Sequence, residues 1–156
     1  MGFFDKVKDA GKGALKGALV MAAKSYATST FGKHKLCKIS MNSTYDKITF
    51  VKGPSIEAEY VIKDSIKTFY LLDEKDSENY HVIEIVFNDG EKSTLHLNVD
   101  KNQGSNLSAA ADRIAARYET PAYLVEALAK YVPEIDDATK KWVNKIMRYA
   151  GKKDLF

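Results

Sequence analysis

A chain of 156 residues has room for one domain with a real core plus an appendage, and is too short for two ordinary domains. An apolar share of 45% with 29% charged residues describes a soluble globular protein. The net charge of +3 is local: residues 1–35 carry seven lysines against two aspartates, which is +5, and leave the rest near −2, so the body is poorly suited to a nucleic-acid groove.

The opening residues, MGFFDKVKDAGKGALKGALVMAAK, have the period of an amphipathic helix. Phe3, Phe4, Val7, Ala10, Ala14, Leu15, Ala18, Met21 and Ala22 fall on one side, and Asp5, Lys6, Asp9, Lys12, Lys16 and Lys24 on the other. Phe3 and Phe4 would dip into an acyl boundary, while Lys8 lays its stem along the boundary with its ammonium in water. The same stripe would also suit docking on the domain's own sheet, on a protein partner, or on a second copy through Gly13-Ala14-Leu15-Lys16-Gly17. Gly11, Gly13 and Gly17 each cost about 0.5–1 kcal/mol of helix stability relative to alanine, as expected of a segment that folds fully only on contact. The apolar stretch from Ala18 to Ala23 is far shorter than the ~20 residues of a spanning helix. Lys6 stands where a myristoylation motif wants Ser or Thr, so lipidation is not expected.

Residues 25–35, with Thr28, Ser29, Thr30 and Gly32, read as the helix end and a linker, which places the domain at 36–156. Alternation then predicts strands at Leu36–Met41, Lys47–Lys52, Ile56–Ile62, Lys67–Leu72, Tyr80–Phe87 and Ser93–Val99, an antiparallel meander over 36–100. No helix-length segment interrupts them, which argues against a dinucleotide-binding parallel sheet. Between Phe87 and Glu91, a three-residue loop with left-handed Gly90 sets Ile85 opposite Ser93 and Ile83 opposite Leu95. Ile83, Ile85, Phe87, Leu95, Leu97 and Val99 then face the core, and Glu84, Thr94, His96 and Asn98 face out.

Helices are expected over 105–156. The first carries Ala111, Ile114, Ala115 and Tyr118, capped by Asn106 or Ser108. Thr120-Pro121 stops it and starts a second with Leu124, Leu128, Tyr131 and Val132 inward, ended by Pro133. Asp136 or Asp137 caps a third, striped by Trp142, Val143, Ile146, Met147 and Ala150 and closed by Gly151. Lys140, Lys141, Lys145, Arg148, Lys152 and Lys153 around Trp142 make a basic helix end, whose commoner reading is a core tryptophan with a solvated face.

The strand series, the hairpin Val86-Phe87-Asn88-Asp89-Gly90-Glu91 and the helix from about Ser108 together resemble the pleckstrin-homology-like fold of small bacterial proteins. The resemblance covers about two thirds of the chain and implies an α+β, partly open barrel. It also implies that lipid headgroups, peptides or proteins bind at the first strand turns or along a sheet edge. That fold normally has seven strands, against six counted here. The opening Met1-Gly2-Phe3-Phe4-Asp5-Lys6-Val7-Lys8 is similar to the starts of small bacterial proteins at the inner membrane face, and of short amphibian membrane-active peptides.

Lys33, His34, Lys35, Lys38, Lys47 and Lys52 are the cationic candidates for a headgroup or other anion, with solubility and edge protection as the commoner use of such lysines. Catalytic and cofactor motifs are lacking. Gly11-Lys12-Gly13 has no phosphate-loop spacing, His81 and His96 fall on opposite sheet faces, and His34 with Cys37 makes only half a zinc set. Cys37 reads as a small buried hydrophobe, Glu57 and Glu59 as a solvated strand face, and Asp136-Asp137 as favourable charge at a helix start. A single cysteine with no leader-like segment suggests a reducing compartment. These observations lead to an expected non-enzymatic interaction module, peripheral at the cytoplasmic membrane face through Phe3, Phe4, Val7, Lys8, Lys12, Leu15 and Lys16, with no cofactor. Its rival is a protein-binding or inhibitory factor, for instance from a phage or mobile element, whose N-terminal helix fits a groove on its target.

Overall fold

The structure is a computed structural model that describes residues 24–74, 81–100 and 102–156. Phe3, Phe4, Val7, Lys8, Lys12, Leu15 and Lys16, and with them the N-terminal helix, lie outside the described residues.

Runs of β-branched and aromatic residues with a two-residue period settle into strands β1 (Ala27–Gly32), β2 (Cys37–Met41), β3 (Lys47–Lys52), β4 (Ser55–Val61), β5 (Ile66–Glu74), β6 (His81–Phe87) and β7 (Lys92–Leu97). They form one antiparallel sheet of order β4-β3-β2-β1-β7-β6-β5, not closed between β4 and β5, where the one-turn helix α1 (Ile62–Ser65) intervenes. The chain is therefore α+β. Two meanders, β1–β4 and β5–β7, are joined by the β1–β7 ladder.

That ladder corrects the expected linker at 25–35. Ala27–Gly32 is the central strand of the sheet, so the sheet includes residues before Leu36. Its inward residues Ala27 and Ser29 are fully buried yet small, and lack the bulky alternation by which a strand is recognised in sequence. The hairpin between β6 and β7 has the expected geometry. Gly90 has φ +89°, Phe87 N–H donates to the Glu91 carbonyl at 2.8 Å, and Ile85 and Ile83 pair with Ser93 and Leu95.

Helix α2 (Ala110–Tyr131) corrects a second expectation, because it runs unbroken for 22 residues through Pro121. Proline offers no N–H to the preceding turn and costs about 3 kcal/mol inside a helix. Tyr118, Pro121, Ala122, Leu124, Val125 and Leu128 nevertheless bury one continuous face, and at roughly 1.5–3 kcal/mol for each large side chain that burial dominates. The start of α2 also differs from expectation. Its N-cap is Ala109, with no capping side chain, while Arg113 donates to the carbonyls of Leu107 and Ser108 at 2.9 and 2.6 Å. Ala111 and Ile114 are exposed rather than inward, and the buried face of α2 begins at Tyr118.

Helix α3 (Asp137–Tyr149) follows its pattern closely. Asp136 accepts from Thr139 N–H at 2.7 Å, the stripe Trp142, Val143, Ile146 and Met147 is buried, and Gly151 turns the chain at φ +73°. Both helices pack on Ile39, Ile48, Phe50, Phe69, Ile83, Ile85 and Leu95. Within this layer the Trp142 indole N–H donates to His81 Nδ1 at 3.1 Å. An indole can only donate, so Nδ1 is unprotonated and Nε2–H points to the Tyr118 hydroxyl, 2.8 Å away. The inward His81 is thus a neutral link between β6, α2 and α3.

Candidate functional site at the turn between β1 and β2

The ladder between β1 and β7 shifts register between Ser29, opposite Leu95, and Phe31, opposite Thr94. Thr30 is the extra residue, and its bulge turns Phe31 from the core face to the outer face. Phe31 is consequently 71% exposed, and Leu36 across the turn is 63% exposed. The turn that carries them is anchored at its root. Lys33 N–H donates to the Lys92 carbonyl at 2.8 Å, Leu36 N–H donates to the Ser29 carbonyl at 2.7 Å, and the Ser93 hydroxyl donates to the Lys33 carbonyl. Gly32, His34 and Leu36 all sit at positive φ, +85°, +58° and +67°. A non-glycine residue held there costs of order 1–3 kcal/mol, which surrounding contacts must offset.

His34 supplies those contacts by folding its ring inward over the open end of the sheet. The ring lies 4.8 Å from Phe50 and 5.6 Å from Tyr60 between centroids. Its Nδ1–H donates to Glu57 Oε2 at 3.0 Å, and Nε2 lies 2.5 Å from the Tyr60 hydroxyl. Glu57 is itself an extra residue, since Ala58 pairs with Phe50 but Ile56 pairs with Val51. The bulge aims its carboxylate at the inner side, where the buried Cys37 thiol donates to the same Oε2 at 2.9 Å. Glu57 is exposed, as a solvated strand residue is expected to be, but the bulge also joins it to His34 and Cys37, which sequence spacing alone does not bring together.

The chemistry of this cluster is quiet. Burial first, and then its bond to the Glu57 carboxylate, push the Cys37 thiol up to about 12, so it is protonated at neutral pH and a poor nucleophile. The Cys37 thiol first, and then His34, hold Glu57 below its ordinary range. The signs of these shifts define a stability window. The contribution from Glu57, whose value is lowered on folding, is present above its ordinary 4.5 and lost as pH falls through the lowered value. The contribution from Cys37, whose value is raised, is present below its ordinary 9.0 and lost as pH rises toward about 12. The urea midpoint of Cys37→Ser should accordingly decline less steeply above about pH 9 than that of the native protein, and Glu57→Gln should blunt the decline below about pH 4.5. Superimposable profiles would show that the cluster does not control this dependence.

The candidate lysines separate into three groups. Lys33 is engaged inward: its ammonium is 3.0 Å from Asp89 and 3.6 Å from Glu91, and lies 5.0 Å from the Phe87 ring centroid. The bond to Asp89 is the main cause that raises its pKa. Lys35 lies over the exposed Phe31 ring at 6.0 Å, and Lys38, opposite Val51, sits one register step from Lys52. Lys47 stands at the other end of β3, opposite Val61, so it does not join the rest. The turn therefore presents two exposed apolar side chains bordered by Lys35 and Lys38, neither of which forms an ion pair among the described residues.

Among the described residues no group of three His, Cys, Asp or Glu is placed to hold a metal ion. No helix among them is long and apolar enough to cross a membrane. A scan against protein-family models finds no match, and a search of the curated proteins finds none either.

Proposed function

We propose that this chain is a non-catalytic interaction module that docks on an anionic membrane surface at the cytoplasmic face, through residues 1–23 and the β1–β2 turn. The carrying observation is the anchored turn that holds Phe31 and Leu36 in solvent at 71% and 63% exposure, beside Lys35 and Lys38. A protein gains nothing for its own core by rotating a phenylalanine outward, whereas a bilayer boundary rewards it. Full burial of each side chain is worth roughly 1.5–3 kcal/mol, and a lysine near anionic headgroups about 1 kcal/mol. Their sum suits reversible attachment only, and stable residence takes a second signal. The sequence of residues 1–23, with Phe3, Phe4, Val7 and Leu15 opposite Lys12 and Lys16, supplies one.

The strand order β4-β3-β2-β1-β7-β6-β5 and the helices that follow it are compatible with the pleckstrin-homology-like arrangement that the sequence resembles, in which the first strand turns contact headgroups. This compatibility supports placing the contact at the β1–β2 turn. Flotation of the full chain should show binding to vesicles containing phosphatidylglycerol, weaker binding to pure phosphatidylcholine, and release as salt rises from low to moderate concentration. Absence of flotation on every vesicle would replace the membrane with a protein groove as the surface that Phe31 and Leu36 enter.

A further inference from the structure

The two edges of the sheet are treated differently. The β5 edge is covered by the chain itself. Thr68 bridges Glu134 in parallel, the Thr68 hydroxyl donates to the Glu134 carbonyl at 2.6 Å, and Leu71 N–H donates to the Thr139 hydroxyl at 3.1 Å. Strand β4 ends the sheet on the other side, with no strand paired to its outer edge among the described residues.

Hydrogen-bond alternation shows which groups that edge presents. Ile62 N–H donates to the Asp46 carbonyl at 2.9 Å, and Lys47 pairs with Val61, Ile48 with Tyr60 and Thr49 with Glu59. In an antiparallel ladder bonded and non-bonded pairs alternate, so the backbone groups of Ala58 and Tyr60 turn toward β3 while those of Glu59 and Val61 turn outward. The side chains of Ala58 and Tyr60 are half-buried on the inner face, and Glu59 is exposed on the outer face. Neither lysine nor proline, the usual guards of an edge, occurs from Ser55 to Val61. The bulge at Glu57 blunts one end only.

We propose that the Ala58–Val61 edge accepts an extended segment of another protein in which apolar and basic residues alternate, added to the sheet as a further strand. Apolar residues of the segment would cover Ala58 and Tyr60, and lysine or arginine would meet Glu59 on the outer face, Glu57 being turned inward to Cys37 and His34. A second copy paired about Glu59 would set that glutamate opposite its own equivalent, which charge disfavours, whereas a basic segment meets it favourably.

A capped peptide of sequence Lys-Val-Lys-Val-Lys-Val-Lys, titrated into the full chain, tests this directly. Binding should slow hydrogen exchange at the amides of Glu59 and Val61. It should weaken about tenfold or more when alternate peptide amides are N-methylated, or when glutamate replaces the lysines, since each lost backbone bond is worth roughly a factor of ten. Glu59→Pro removes an outward N–H while leaving the backbone bonds to β3 in place, at the loss of the Thr49 side-chain bond, and should abolish the protection of the Val61 amide. The N-methylated peptide keeps the test decisive if this variant folds poorly. Equal binding of the methylated and parent peptides, a second chain of this protein as the species that protects Glu59, or no binding at millimolar peptide would overturn the proposal.

Discussion

Replacing Gly32 with alanine is expected to destabilise the protein by about 3 kcal/mol, enough to lower its melting temperature by roughly 10 °C. Gly32 ends the central strand at φ +85°, and a β-carbon there would lie 2.1 Å from the carbonyl oxygen of Lys92. That oxygen is backbone, and it accepts the Lys33 N–H that roots the turn, so it cannot swing away as a side-chain end would. Relief requires β1 and β7 to part where Gly32 pairs with Ser93, which is fully buried. Gly53 separates steric from conformational cost. It has φ +58° with nothing within 4 Å of a built β-carbon, so Gly53→Ala should cost only about 1 kcal/mol, the price of the left-handed backbone. Urea unfolding of the two variants measures both. Equal losses would mean that the close approach of β1 to β7 is not a constraint.

The sequence made the regular parts of this fold legible where side-chain size and turn chemistry agree. The loop Asn88-Asp89-Gly90 allows one register, and the amphipathic period of Trp142, Val143, Ile146 and Met147 allows one buried face, so both could be read residue by residue. The central strand could not, because Ala27 and Ser29 carry too little bulk to signal burial. Pro121 misled for the opposite reason: a strong local stop was overridden by the continuous face from Tyr118 to Leu128. Thr28 and Thr30, with Phe31 before Gly32, were the faint strand signal in the linker.

The candidate site was less legible than the fold. A one-residue bulge exchanges the two faces of a strand, and nothing in Thr30 or Glu57 announces it. The exposure of Phe31 and the meeting of Glu57 with His34 and Cys37 both follow from such shifts. The lysines were visible, but their division was not. Lys33 is tied up by Asp89 and Glu91, 56 and 58 residues further along the chain, while Lys47 is separated by the length of β3.

The second large effect concerns the surface itself. Phe31→Ser with Leu36→Ser removes the apolar area of the turn while leaving its anchors untouched, because those run through backbone groups and the side chains of Ser93, His34 and Lys33. Both positions are already largely exposed, so folding stability should change by less than about 0.5 kcal/mol. Loss of even half the insertion free energy of the two side chains, about 2 kcal/mol, should lower the vesicle partition coefficient more than tenfold. Lys35 and Lys38 would remain to give weak, salt-sensitive attraction.

Partitioning of this double variant and of the native chain onto phosphatidylglycerol vesicles, at matched salt and with unfolding curves in parallel, is the measurement that bears most directly on the account. A folded variant whose partitioning falls at least tenfold would place the β1–β2 turn at the membrane boundary. A folded variant that binds as tightly as the native protein would contradict that placement and leave Phe31 and Leu36 without a role in membrane contact.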